Sequence, residues 1–234
     1  MISVITTLYN YSDYIVDCIT SFLKQDLIDS EMIIIDDYST DDSFKKASQY
    51  ECDRIKVISL NKNHGYSYAK NVGIKESKGE YLVMLDADDM LTENSLSVRL
   101  KQIKKKELDF VHGWAYDLKD GKLSISPLRK KWKQNPVYKH VHAQTVMLKK
   151  NIHRQIGLYD ETMKSKSDRE MWARIFNHKF TIGYVDKPVA IYRCHSLQMH
   201  RSSSKLLINE QLQKNALEII SKRQTDLSGL EMLK

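Results

Sequence analysis

Gly79-Glu-Tyr-Leu-Val-Met-Leu-Asp-Ala-Asp-Asp-Met90 is the stretch on which the reading of this chain turns. Its apolar run from Tyr81 to Leu85 stops abruptly in three carboxylates, Asp86, Asp88 and Asp89. The run has the length and composition of a buried strand. Carboxylates this close repel one another and are costly to desolvate, so a positive group is expected to compensate them; hard divalent cations such as Mg²⁺ or Mn²⁺ prefer oxygen ligands. An Asp-x-Asp at a strand end is therefore a candidate metal-diphosphate site. The same acids also fit a solvated turn leading into a helix capped by Thr92, since aspartate favours turns and threonine favours N-caps.

Working outward, short β-rich runs alternate with helical patterns through the first hundred residues. Strands are expected at Ile2 to Thr7, Glu31 to Ile35, Arg54 to Leu60 and Tyr81 to Leu85. Between them Ile15, Ile19 and Phe22 recur at helical spacing after the cap candidate Ser12, and Thr40 or Asp41 is placed to cap a second helix. This alternation predicts βαβ units and a mostly parallel sheet flanked by helices, an α/β architecture. Ligands of such sheets bind beyond the carboxyl ends of the strands, where Tyr9, Asp36, Asp37 and the Asp86 to Asp89 cluster would converge. From Asp109 the pattern changes to a hairpin turning at Asp120-Gly121, then a basic loop between Pro127 and Pro136. A helix follows around Ser167 to His178, a β-rich stretch from Phe180 to Arg193, and a helical pattern from Leu206 to Ile220. Three parts result: a nucleotide-binding half over 1–108, an acceptor-binding and catalytic half of the same domain over 109–203, and a C-terminal helical extension over 204–234.

Composition narrows the function classes. With 234 residues, 41% hydrophobic and 29% charged, the chain can bury an enzyme-sized core. No apolar run approaches the ~18 residues of a membrane span. The start, Ile2-Ser-Val-Ile-Thr-Thr7, lacks the basic region of a signal peptide, so a cytoplasmic location is expected. Cys18, Cys52 and Cys194 are odd in number and dispersed, without disulfide or zinc spacing. The 37 basic residues exceed the 30 acidic ones, with runs at Lys101 to Lys106 and Arg129 to Lys133 that could attract phosphates or an anionic membrane surface. The first run also suits the C-terminus of a helix, where lysine complements the dipole.

Four segments, in order along the chain, resemble the family 2 glycosyltransferases, inverting enzymes with a GT-A nucleotide-diphospho-sugar transferase fold. They are Ser3-Val-Ile-Thr-Thr-Leu-Tyr-Asn10, Ile33-Ile-Ile-Asp-Asp-Tyr-Ser-Thr-Asp41, Asn63-His-Gly-Tyr-Ser-Tyr-Ala-Lys-Asn-Val-Gly73 and Asp86-Ala-Asp-Asp89. The resemblance implies that Thr7, Tyr9, Asp36, Asn63, Gly65, Lys70 and Asp86 bind the nucleotide-sugar donor, while Asp88 ligates Mn²⁺ or Mg²⁺. Chemically, Tyr9 can stack on a base and Asp36 can accept a hydrogen bond from a pyrimidine N–H, which would favour uracil. Gly65 precedes a helix N-terminus whose N–H groups suit anionic ligands, and Lys70, where the family usually has arginine, adds charge. Gly65, Ala69 and Gly73 equally fit close packing of helix on sheet, and Asn71 a loop brace.

Lys166-Ser-Asp-Arg-Glu-Met-Trp-Ala-Arg174 is similar to the family's late Glu-Asp-x-x-x-Trp-x-x-Arg segment, with Ser167 replacing its Glu; the match implies that Asp168 is the general base, the alternative being a helix cap. Tyr192-Arg-Cys-His195 is similar to a Tyr-Arg-x-His element in which His195 can reach the metal. His200, Arg201 and Ser202 to Ser204 form a second candidate phosphate loop, and His140 with His142 alternate as on one strand face beside an acceptor. The expected activity is metal-dependent, inverting transfer from a nucleotide-diphosphate sugar, with UDP as the expected nucleotide, to a glycan or glycolipid hydroxyl. Nucleic acid is not an expected partner; peripheral membrane contact through the basic stretches is compatible. Two rivals remain. A sugar-phosphate nucleotidylyltransferase should carry a Gly-rich phosphate loop where Leu8-Tyr9-Asn10-Tyr11 stands. A non-catalytic basic nucleic-acid or membrane-surface binder would leave the ordered acidic motifs unexplained.

Overall fold

The first strand, β1 (Ile2–Leu8), is buried along its whole length and divides its side chains between two faces. Ile2, Val4 and Leu8 join one apolar cluster, whereas Ile5 joins another, as the two-residue period of a strand requires. The same division recurs in β2 (Ser30–Asp36), where Met32 and Ile34 face one way and Ile33 and Ile35 the other. Strands covered on both faces need continuous apolar runs, which is why these segments lack polar alternation. With β3 (Ile55–Ser59) and β4 (Tyr81–Met84) they form a parallel array in the order β3-β2-β1-β4. The computed structural model describes residues 1–129, 141–163, 165–196 and 198.

Helix α1 (Ile15–Leu23) covers one face with Ile15, Cys18, Ile19 and Phe22. Helix α2 (Ser43–Ser48) is a single short segment beside it. Helix α3 (Tyr66–Glu76) covers the other face, with Ala69 against Ile33 and Ile35. Gly73 lies so close to β1 that a Cβ there would fall 2.3 Å from Ile5 Cγ2. Two expected caps are not formed: α1 begins after Tyr14 and α4 (Ser95–Lys106) after Asn94, with no side-chain cap bond at either. At the start of α2 Asp41 does take the expected part, its Oδ1 accepting the Ser43 N–H at 2.9 Å while Oδ2 accepts the Ser12 N–H at 3.1 Å; Thr92 Oγ1 donates to the Pro188 carbonyl at 2.8 Å.

Beyond β4 the sheet becomes mixed, continuing in the order β4-β8-β6-β9-β5. Its members are β5 (Met90–Leu91), β6 (Phe110–Lys119), β7 (Lys122–Ile125), β8 (Val146–Lys149) and β9 (Ile182–Cys194). The β6–β7 hairpin turns at Asp120 and Gly121, both with positive φ as a tight two-residue hairpin demands. Helices α5 (Ile152–Ile156) and α6 (Ser167–Asn177) complete the described part. His142 precedes a 3₁₀ turn (Ala143–Thr145) rather than lying on a strand, so the expected strand face does not form at that residue; His140 lies outside the described residues. So do most of the second basic run, the candidate loop at His200 to Ser204 and the extension over 204–234. Arg129, which opens that run, is held by Asp186 at 3.0 Å and lies over the Trp114 ring. The run from Lys101 ends α4 with exposed lysines at 104–106. Among the described residues no helix is long and apolar enough to cross a membrane.

The site depends on β9. Thirteen residues long, it runs parallel to β6 as far as Cys194 and on its other edge pairs antiparallel with β5, Met90 with Ile191 and Leu91 with Ala190. Because β5 directly follows the aspartate loop, this pairing brings Arg193 and His195 back beside Asp88 and Asp89. The depth of α3 against β1 is set by Gly73, and Ile5 is a stiff β-branched neighbour. Gly73→Ala should therefore destabilise the protein by about 1–3 kcal/mol in urea denaturation, the usual cost of overpacking; an unchanged midpoint would mean that α3 moves freely on the sheet.

Candidate active site

Once β4 ends, the three aspartates turn to three different partners. Asp86 Oδ1 accepts from the Tyr66 hydroxyl at 2.7 Å, Asp88 Oδ2 lies 3.0 Å from His195 Nε2, and Asp89 Oδ1 accepts the Arg193 N–H at 2.9 Å. Arg193 also donates from Nε to the Asp88 carbonyl and from its guanidinium to Asp17 at 2.8 Å. The His195 ring packs on Tyr14 and against the edge of Tyr11. Charge in this loop is under-compensated. Burial, with Asp88 and Asp168 adding to it against Lys70, pushes the Asp86 carboxyl up to about 6. Burial and then the Asp88 and Asp86 charges hold the Asp89 carboxyl well above the ordinary range. The Tyr11 phenol is raised by burial and by the same three aspartates.

Asp88 and His195 could hold a divalent cation. The two stand at hydrogen-bond distance, 3.0 Å between His195 Nε2 and Asp88 Oδ2, so both side chains already converge on one spot. Asp89 Oδ2 and His195 Nδ1 are buried without a hydrogen-bond partner among the described residues, as expected where local charge is incompletely met. Among the described residues no group of three or more His, Cys, Asp or Glu side chains is arranged around one cation position. The protein thus offers two ligands, which suits an ion that keeps water and substrate oxygens in its shell.

On the nucleotide side, Tyr9 is exposed just past β1, while Thr7 is buried at its end. Asp36, at the end of β2, takes the Ser39 N–H and the Ser59 hydroxyl on Oδ2, leaving Oδ1 buried with no partner among the described residues. Asn63 is exposed. Gly65 has φ +95 and open space where a Cβ would sit, so backbone conformation rather than crowding calls for glycine. The N–H groups of His64 and Gly65 both donate to Asp37, at 2.7 Å each. A protein carboxylate therefore meets the start of α3.

Asp168 is not a cap. Helix α6 begins after Lys166, in the left-handed region, with no side-chain cap bond. The Asp168 carboxylate, its side chain 26% exposed, points to α3 instead: Lys70 Nζ stands 2.5 Å from Oδ1 and the Tyr66 hydroxyl 3.4 Å from Oδ2. Lys70 is itself buried, its ammonium 3.9 Å above the Tyr66 ring and 4.9 Å from that of Tyr159. Asn71 takes the brace role, bonding the Tyr159 N–H and carbonyl from both ends of its amide. Trp172 and Arg174 are also structural: Trp172 donates to the Val141 carbonyl, and Arg174 pairs with Glu170 and holds the Ile156 and Leu158 carbonyls. Sequence reading passed over Tyr66 and Tyr159. The one signal for Tyr66 was its spacing of four from Lys70, which puts both on one helix face.

The family described as Glycosyl transferase family 2 matches residues 3–179. The glycosyltransferase GlyG of Streptococcus pneumoniae is 37% identical over 125 residues, which cover 52% of this chain and 42% of GlyG. TuaG of Bacillus subtilis, provisionally named a teichuronic acid biosynthesis glycosyltransferase, is 30% identical over 213 residues, covering 82% of this chain and 79% of TuaG. The crystal structure of S. aureus TarS 1-349 in complex with UDP-GlcNAc superimposes with a TM-score of 0.75 at 22% identity, over 86% of this chain and 60% of that one. The likeness to TarS is one of fold. The chain thus spans less than half of GlyG but most of TuaG.

The Asp86 environment yields a pH prediction. Its folded value of about 6 lies above the ~3.9 of an unfolded aspartate. Ionisation therefore costs the folded state more than the unfolded state; the penalty is full above about pH 6 and fades as pH falls toward ~4. In metal-free protein, Asp86→Asn should raise Tm more at about pH 7.5 than at about pH 5. Equal shifts at the two pH values would mean that the Tyr66 bond and Lys70 already offset the burial.

Proposed function

The chain belongs to glycosyl transferase family 2, and from that membership we propose that it moves a sugar from a UDP-sugar to an acceptor hydroxyl with inversion at the anomeric carbon. The observation that carries this reading is the convergence of Asp86 and Asp168 on one hydroxyl, that of Tyr66, bonded to the first at 2.7 Å and 3.4 Å from the second, with the Asp88–His195 pair beside them. A donor-side acid and a candidate base therefore stand on either side of one point.

UDP is favoured by Asp36 at the end of β2, whose buried Oδ1 is an acceptor without a partner among the described residues, and by Tyr9, exposed nearby as a stacking surface. The UDP and UDP-GlcNAc complexes of TarS add support by likeness of fold. Asp88 and His195 would hold Mn²⁺ or Mg²⁺, which when bound supplies positive charge to the departing diphosphate. Arg193, anchored to Asp17 and to the Asp88 carbonyl, keeps that loop in place.

In the transfer itself, the acceptor oxygen attacks the anomeric carbon from the face opposite the diphosphate. The carbon–oxygen bond to the diphosphate breaks and UDP leaves with that electron pair. The acceptor's proton passes to Asp168 Oδ2, because Oδ1 is committed to Lys70. No covalent enzyme intermediate is required. The acceptor is a glycan or glycolipid, a class that the name of TuaG supports, and the exposed lysines ending α4 are compatible with work beside an anionic membrane surface.

Two substitutions test the division of labour. Asp168→Asn should lower Tm, because buried Lys70 loses its counter-ion, yet keep UDP binding in the folded protein and lower transfer by ~10² or more, the usual loss with a general base; near-normal turnover would remove Asp168 from that role. Asp88→Asn should abolish the Mn²⁺ dependence of UDP binding in calorimetry. Unchanged affinity with unchanged metal dependence would return the acidic loop to a structural turn.

A further inference from the structure

Tyr66 belongs to neither half of the proposed site, yet touches both. Its hydroxyl carries one proton. At 2.7 Å from Asp86 Oδ1 that proton is committed to Asp86, while Asp168 Oδ2 at 3.4 Å lies beyond the usual O–H···O distance of ~2.7–2.8 Å. A ribose or sugar hydroxyl donated to Oδ1 would share that oxygen's lone pairs and weaken its bond from the phenol O–H, whose next acceptor is Asp168 Oδ2. Burial, followed by the charges of Asp168 and Asp86, keeps the phenol well above its ordinary range, so it remains a donor.

The surroundings restrict what can move. Lys70, one helical turn along α3, is caged between the Tyr66 and Tyr159 rings and clamps Asp168 Oδ1. Tyr159 is in turn held through its backbone by Asn71. With Oδ1 fixed, a change in the Tyr66 hydrogen bond acts on Asp168 through Oδ2.

We propose that Tyr66 is a positioning residue that couples nucleotide occupancy at Asp86 to the orientation of the Asp168 carboxylate, so that the base is set for an acceptor only after the donor is in place. The inference rests on the donor and base roles proposed above for Asp86 and Asp168. The coupling acts through one hydroxyl that already stands between the two acids.

The test reads Asp168 directly, by ¹³C NMR of side-chain carboxyls in aspartate-labelled protein, with the resonance assigned by its absence in Asp168→Asn. UDP with diamagnetic Mg²⁺ is the probe, and its binding is measured separately by calorimetry. In the unsubstituted protein, saturating UDP should shift the Asp168 resonance. In Tyr66→Phe, which keeps the ring beneath Lys70 and removes only the hydroxyl, that shift should be largely lost although UDP still binds. Asp86→Ala cuts the same link from the other side and serves if Tyr66→Phe does not fold: its Asp168 resonance without UDP should already lie near the UDP-bound position. An equal UDP-induced shift in Tyr66→Phe, or an unmoved resting resonance in Asp86→Ala, overturns the coupling while leaving the proposed function standing. A calorimetric blank for UDP in the unsubstituted protein overturns the donor reading, and the coupling falls with it.

Discussion

The pairing of Met90 and Leu91 with Ile191 and Ala190 is the constraint on which the site depends. A loop holding three aspartates in four residues cannot be buried alone, because each carboxylate removed from water needs a donor or a positive neighbour. The chain leaving that loop is clamped at once to β9, and β9 ends in the residues that meet the acids. Arg193 supplies a backbone donor to Asp89 and a guanidinium bond to the Asp88 carbonyl, while His195 meets the Asp88 carboxylate. Hydrogen bonds to charged groups are worth about 1.5–3 kcal/mol each. Even so, the elevated Asp86 and Asp89 carboxyls show that the protein leaves part of the charge unmet. That residual field is what a cation entering with a diphosphate would find.

Helix α3 is the second fixed body, and three contacts place it. Asp37 holds the backbone just before its first turn, Gly73 lets its middle lie directly on Ile5, and Asn71 ties its flank to Tyr159. With the helix so placed, Tyr66 and Lys70 present one face toward two acids from distant parts of the chain. A buried ammonium is costly unless paired. Lys70 meets that cost with Asp168 and two aromatic faces. The positive start of α3 is likewise used internally, by Asp37.

Much of this was legible along the chain. Each of the first four strands was visible as a short apolar run, and the Asp120-Gly121 turn as a hairpin signal, because strand burial and turn conformation select residue types locally. The helix caps were legible only at Asp41, which meets the Ser43 N–H; α1 and α4 start without a side-chain cap, and the Thr92 hydroxyl goes to Pro188, a residue that only folding brings near. The parallel order read from the βαβ rhythm holds across β3-β2-β1-β4, whereas the mixed order of β8, β6, β9 and β5 carries no comparable local rhythm.

The candidate site divides in the same way. Sequence by itself determined the family and the acidic loop at a strand end, and it singled out Asp168 and His195, which the fold brings beside Lys70 and Asp88, since motif chemistry is carried by residue type and spacing. Tertiary structure decided which partner each acid took. Asp37 became the support of a helix start rather than part of an open crevice, Lys70 the counter-ion of a residue 98 positions away, and Tyr66 the bridge between acids that no spacing connects. The physical reason is that a carboxylate's partner is set by distance and burial across the folded sheet, and neither quantity is written in the order of neighbouring residues.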